Sequence, residues 1–72
     1  MITFDEMKCE IYSHEKPKNW REGQFVFNMV DELYGVARIV QYHYVDCFYN
    51  DEKIEEFILR SCEVYNDIFR DE

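Results

Sequence analysis

Glycine and proline are scarce in this sequence, which contains two Gly and one Pro among its 72 residues. Because these residues mark most turns and loops, their scarcity predicts regular structure joined by short connections. The sequence has no apolar run near the ~20 residues of a membrane span, and its N-terminus lacks the basic and apolar regions of a signal peptide. We therefore expect a cytoplasmic protein.

Basic residues are also few, with 8 against 16 acidic residues and a formal net charge of −8. A nucleic acid or an anionic membrane is bound through a basic face, so neither is expected as a direct ligand. Aromatic residues are abundant instead, with six Phe, six Tyr and one Trp. A core this small cannot enclose all these rings, and exposed rings favour a protein partner or self-association.

Residues able to perform chemistry are few and scattered. Cys9, Cys47 and Cys62 have neither C-x-x-C nor zinc spacing, and His14 and His43 are not paired with a nucleophile in the sequence. The D-x-[DN]-x-[DN]-G pattern of a calcium loop is absent as well. We expect no catalysis, no metal site and no cofactor.

Helical periodicity predicts a single all-α domain over residues 1–72, a bundle of three to four helices. Thr3 and Glu6 form a T-x-x-E capping box for the first helix. Asn19 and Glu22 have the same spacing before the second, and Gly35 stands where a left-handed residue commonly ends a helix. The predicted helices span about 3–15, 20–34, 36–41 and 51–69.

The segment 36–45, VARIVQYHYV, is ambiguous because its β-branched and aromatic residues also suit a strand. No second strand is visible to pair with it, so we favour a short helix over 36–41 followed by an irregular tail. The last helix has the clearest apolar face, which consists of Ile54, Phe57, Ile58, Ser61, Cys62, Tyr65, Ile68 and Phe69.

Two motifs stand out against this helical background. R-E-G-Q-F-V-F-N begins at Arg21 and follows Trp20, and D-C-F-Y-N-D occupies 46–51. The chain here resembles a loose group of small uncharacterised bacterial and phage proteins that carry R-x-G-Q-x-x-F-N and D-x-F-Y-x-D. The resemblance implies a shared fold and a mobile-element origin, and it implies no activity. Cys47 stands where that group often has Pro.

A structural role can be assigned to these motifs. A helical Gly23 costs about 1 kcal/mol relative to Ala, which is reasonable if a backbone or a ring such as Phe48 packs directly against it. The amides of Gln24 and Asn28 would hold the turn 46–51, with its aspartates capping local N–H groups. This clamp is favoured over a ligand-binding role. Its predicted members are Trp20, Gly23, Gln24, Asn28, Asp46, Phe48 and Asp51.

The remaining candidates point to a protein partner. Glu52, Glu56, Glu63 and Asp67 form an acidic ridge along the last helix, which either mimics nucleic acid or is a solvated helix face. Tyrosines suit interfaces because the ring buries area while the hydroxyl stays hydrogen-bonded. The predicted anchors are Tyr42, Tyr44 and Tyr49, although such rings can also complete a core.

These features predict a small acidic protein-binding module encoded by a phage or mobile element. In one version it inhibits a host defence or nucleic-acid-handling protein that has a basic groove. The alternative is a structural helical module that self-associates as a homodimer and has no inhibitory role.

Overall fold

The computed structural model describes residues 1–69 of the chain. These residues form four α-helices: α1 (Phe4–Tyr12), α2 (Glu22–Tyr34), α3 (Ala37–His43) and α4 (Ile54–Ile68). A short 3-10 helix, Asp51–Lys53, precedes α4, and there is no strand within residues 1–69. The predicted all-α bundle is confirmed. None of the helices described is long and apolar enough to cross a membrane.

The first helix begins at the predicted capping box. The Thr3 side chain accepts a hydrogen bond from the Glu6 N–H at 3.1 Å, and the Glu6 carboxylate accepts one from the Thr3 N–H at 2.9 Å. The helix ends at Tyr12 rather than near residue 15. The Ser13 hydroxyl donates a hydrogen bond to the Glu10 carbonyl at 2.6 Å, so a side chain satisfies a carbonyl of the last turn.

The second helix begins at Glu22, later than predicted, and the prediction that Asn19 caps it is wrong. The residue before the helix is Arg21, whose N–H donates to the side-chain oxygen of Gln24 at 3.4 Å. At the other end Gly35 has φ 71°, and its N–H bonds the carbonyls of Val30 and Asp31 at 3.0 and 3.1 Å. The predicted left-handed glycine is therefore confirmed.

The ambiguous third segment is a helix, and α3 extends two residues beyond the predicted end at 41. Val36, Ala37 and Val40 are buried, so the two valines pack into the core from one face of a helix rather than from a strand. The predicted single helix over 51–69 begins as the 3-10 turn instead. Asn50 starts that turn by accepting a hydrogen bond from the Glu52 N–H at 3.1 Å.

The core lies where α4 packs against α1, α2 and α3. Phe25 of α2 is 2% exposed, and its ring contacts that of Tyr12 at a centroid distance of 6.1 Å. Ile68 and Phe69 were expected on the buried face of α4, but they are 53% and 62% exposed. The apolar face of α4 therefore continues beyond the core.

Gly23 lies directly against the turn 46–51. A Cβ atom at this position would lie 2.0 Å from the carbonyl oxygen of Cys47 and 2.7 Å from Oδ1 of Asp51. The Gly23 N–H donates to Asp51 Oδ1 at 3.0 Å, and Cys47 Sγ donates to the Gly23 carbonyl at 3.3 Å. The neighbour that requires glycine is thus the backbone of the turn, not the ring of Phe48 or Tyr49.

Asp46 organises the turn itself. Its Oδ1 accepts hydrogen bonds from the Phe48 N–H at 3.1 Å and the Gln41 amide at 2.8 Å, and its Oδ2 accepts one from the Tyr49 N–H at 3.2 Å. Asp46 therefore caps local N–H groups as expected and ties the turn to α3. Asp51 differs, because it accepts from the start of α2, 28 residues away along the chain.

Arg21 closes the outer side of this clamp. Its guanidinium donates to the Phe48 carbonyl at 2.6 Å and lies 5.9 and 5.8 Å from the ring centroids of Phe48 and Tyr49. Cation–π attraction operates within about 6 Å, so both rings hold the guanidinium in place. The edge of the Phe48 ring also packs on Phe27 at a centroid distance of 5.4 Å.

The other predicted clamp members have different positions. The Gln24 amide serves its own helix start, and the side chain of Asn28 makes no hydrogen bond within residues 1–69. Trp20 is half-buried against the core just before α2. The turn is therefore held by Arg21 and by the Gly23 backbone rather than by the two amides.

The two glycines allow a direct test of the close contact. Gly23→Ala should lower the free energy of unfolding by about 2–4 kcal/mol, because the new methyl displaces the Cys47 carbonyl and weakens the bond to Asp51. Gly35→Ala has nothing within 4 Å of its Cβ and should cost only the left-handed strain of about 1–2 kcal/mol. Urea unfolding measures both; a Gly23→Ala variant as stable as the parent would contradict the contact.

Thiol labelling gives a second test. Cys47 is fully buried, and burial followed by the charges of Asp46 and Asp51 raises its pKa to about 12, whereas Cys9 is exposed. Because the thiolate is the reactive form, iodoacetamide at pH 8 should modify Cys9 first and Cys47 only as the protein unfolds. Mass spectrometry distinguishes the modified cysteines. Equal rates of modification of Cys9 and Cys47 in the folded protein would show that Cys47 is not buried.

Candidate functional site

The acidic ridge predicted on the last helix lies on its solvent face. Glu56, Glu63 and Asp67 are exposed on α4, and Glu52 is exposed in the 3-10 turn before it. Arg60 interrupts the ridge and pairs with Glu63 at 3.0 Å, with side-chain exposures of 43% and 54%. Exposed pairs of this kind contribute about 0–1 kcal/mol, so the carboxylate of Glu63 remains accessible to another cation.

An open groove of about 740 Å³ lies along one side of this ridge, between α3 and α4. We call it the α3–α4 groove. It exists because α3 has seven residues and α4 has fifteen, which makes them about 10 and 22 Å long. The groove is lined by Ile39, His43, Tyr44, Arg60, Glu63, Val64, Asp67 and Ile68.

Apolar and aromatic side chains face solvent at this groove. Ile39 and Ile68 are 42% and 53% exposed, from opposite sides. The Tyr44 ring lies 5.6 Å from the Arg60 guanidinium and continues into the rings of His43 and Tyr42, with centroid distances of 6.5 and 4.8 Å along the row. Exposed apolar side chains with a charged rim are typical of surfaces that bind proteins. Binding buries the apolar area, and the charged rim orients the partner.

The seven predicted partner-binding residues fall in four places. The α3–α4 groove contains Tyr44, Glu63 and Asp67, and Tyr42 adjoins it through the His43 ring. The others lie elsewhere: Glu56 borders a small apolar pocket with Phe4 and Leu59 on the α1 side, Glu52 lies among acidic residues near α2, and Tyr49 lies beside Arg21.

Several groove residues were missing from the sequence-based site. Val64 was not singled out from the sequence, and Ile68 was assigned to the core. A signal for them was present, because the apolar face of α4 runs longer than the short α3 can cover. Arg60, on the same helix, connects Glu63 to Tyr44 across the groove.

A second group of carboxylates lies at the opposite end of α4. There Lys8 pairs with Glu55 at 2.5 Å, and the Tyr12 hydroxyl donates to Glu22 at 2.8 Å. Burial, and then the hydrogen bond to Glu22, raises the pKa of Tyr12 far above its ordinary value. Within residues 1–69, no three His, Cys, Asp or Glu side chains are grouped so that they could hold a metal ion.

The two histidines lie near the ends of α1 and α3, and the ring of His14 lies beside the Ser13 hydroxyl, with 3.4 Å between Nδ1 and Oγ. His14 Nδ1 lies 3.0 Å from the Glu10 carbonyl at the end of α1, and His43 packs between tyrosine rings. Neither hydrogen-bonds a cysteine or a carboxylate within residues 1–69. The arrangement that remains for functional interpretation is the groove and its acidic rim.

Comparison of the chain with family models, with curated proteins and with solved structures found no match. The groove combines exposed apolar area with negative charge.

The residues of this surface should be nearly dispensable for folding. Tyr44→Ala and Glu63→Lys remove exposed side chains, so each should change the free energy of unfolding by less than about 1 kcal/mol. Phe57→Ala in the adjacent core should cost about 3–5 kcal/mol and serves as the comparison. Urea unfolding of the three variants checks this, and a large loss at Tyr44 would assign that ring to the fold.

Proposed function

We propose that this chain is a small acidic protein-binding module encoded by a phage or mobile element. It acts by binding a host protein and, in its most specific form, inhibits a host defence or nucleic-acid-handling protein. The observation that carries the proposal is the α3–α4 groove, in which exposed apolar side chains adjoin the acidic ridge. The mobile-element origin is supported by the motif resemblance at 21–28 and 46–51.

Charge and aromatic content support a basic protein as the partner. A net charge of −8 steers association toward positively charged surfaces and repels nucleic acid. Tyr44, at 58% exposure, can bury its ring in an interface while its hydroxyl stays bonded. Nucleic-acid-handling proteins have basic grooves, so an acidic ridge beside an aromatic anchor suits competition for such a groove.

A self-associating homodimer is the second candidate, and a specific observation favours it. Tyr42, Tyr49 and Phe69 are 84%, 77% and 62% exposed, which is more aromatic surface than a small monomer usually presents. Association through the ridge, however, would bring like charges together. Light scattering separates the candidates: we expect a monomer, and a dimer that persists below about 1 μM would favour self-association instead.

Affinity capture from host lysate tests the main proposal. The parent protein should retain a reproducible partner, and Tyr44→Ala and the double variant Glu56→Lys/Glu63→Lys should each lose it. The double variant Asp31→Lys/Glu32→Lys makes the same change of charge at two exposed residues of α2, so it serves as the matched control and should keep the partner. Absence of a partner, or a partner indifferent to both site variants, would contradict the proposal.

A further inference from the structure

We infer that the α3–α4 groove receives a basic amphipathic helix of the partner protein. This inference rests on the proposed protein-binding function and names the kind of segment that the groove takes. Three observations carry it: the exposed apolar side chains that border the groove from both helices, the carboxylates on its rim, and the lack of any strand within residues 1–69 that an extended peptide could join.

The dimensions of the groove suit two turns of helix. From Arg60 to Ile68 the axis of α4 advances about 12 Å, which is slightly more than two turns. Ile39 borders this stretch from α3, and Val64 and Ile68 border it from α4. An amphipathic helix presents apolar residues at i, i+3 or i+4, and i+7 over the same distance. β-augmentation, in which an extended peptide pairs its backbone with a strand, needs a sheet edge, and residues 1–69 contain none.

Charge selects the occupant. Glu63 and Asp67 lie on the rim, and Arg60 and His43 also line the groove. Arg60 is engaged by Glu63 and by the Tyr44 ring in a partly exposed arrangement, so a partner Lys or Arg can approach the same carboxylate. A second copy of this chain is disfavoured as occupant, because its own net charge of −8 would meet the acidic rim.

Synthetic peptides serve as probes for this inference. The first is a peptide of about four helical turns with Leu along one face and Lys elsewhere; the second has the same composition in a scrambled order. The third has Glu in place of Lys. We expect the first peptide to bind with a dissociation constant on the order of 10–100 μM, and the other two at least about tenfold more weakly. Amide NMR should show the shifts along 39–44 and 60–68.

Two matched pairs of variants locate the contact. Ile68→Ser and Leu59→Ser each remove an apolar side chain of comparable exposure, 53% for Ile68 and 44% for Leu59. The two residues lie on opposite sides of α4, and only Ile68 lines the groove. Ile68→Ser and Glu63→Lys should each weaken the first peptide about tenfold, whereas Leu59→Ser and Glu32→Lys should not change its affinity. Amide spectra like that of the parent verify that each variant is folded.

Two results with the peptides overturn the inference: equal binding of all three, or no binding of the first. Amide shifts that lie outside the groove also overturn it, as does an equal loss of affinity for the two variants of either pair. Its failure can be told apart from failure of the proposed function. Suppose that a host partner is captured, that its capture depends on Tyr44 and the ridge, and that the peptides give negative results. The protein-binding function would then stand, and a helix in the groove would be excluded.

Discussion

The architecture depends on the contact between the backbone of Gly23 and the turn 46–51. The Gly23 N–H is one of the donors at the start of α2 that lack a partner within the helix, and the Asp51 carboxylate accepts from it in the 3-10 turn that precedes α4. The Cys47 carbonyl lies so close that a Cβ atom cannot be accommodated. Since Asp46 also binds Gln41, one turn fixes α2, α3 and the start of α4 relative to one another.

The functional surface follows from this placement and from unequal helix lengths. With the start of α4 held against α2, its second half extends past the short α3, and Ile68 remains exposed on a face that otherwise belongs to the core. The acidic ridge lies on the neighbouring solvent face of the same helix. The motifs are therefore scaffold, and the groove that they position, with Tyr44 on its rim, is the surface proposed to bind.

Local signals in the sequence predicted the helices well. The periodicity, the capping box of Thr3 and Glu6, and the left-handed Gly35 each depend on residues of a single helix and its ends. The start of α2 was misassigned, because the Gly23 N–H in its first turn is satisfied by a carboxylate 28 residues away, and no local pattern reveals that partner. Ile68 was misassigned for a similar reason. Periodicity identifies the apolar face of α4, but only packing shows how far a neighbouring helix covers it.

Hydrogen–deuterium exchange on the protein bound to its captured host partner tests the central claim most directly. The claim is that the α3–α4 groove is the surface that binds. Protection on complex formation should then concentrate in 39–44 and 60–68, and α1 should exchange as it does in the free protein. Protection confined to α1 or to the connection before α2, with exchange in the groove unchanged, would contradict the account.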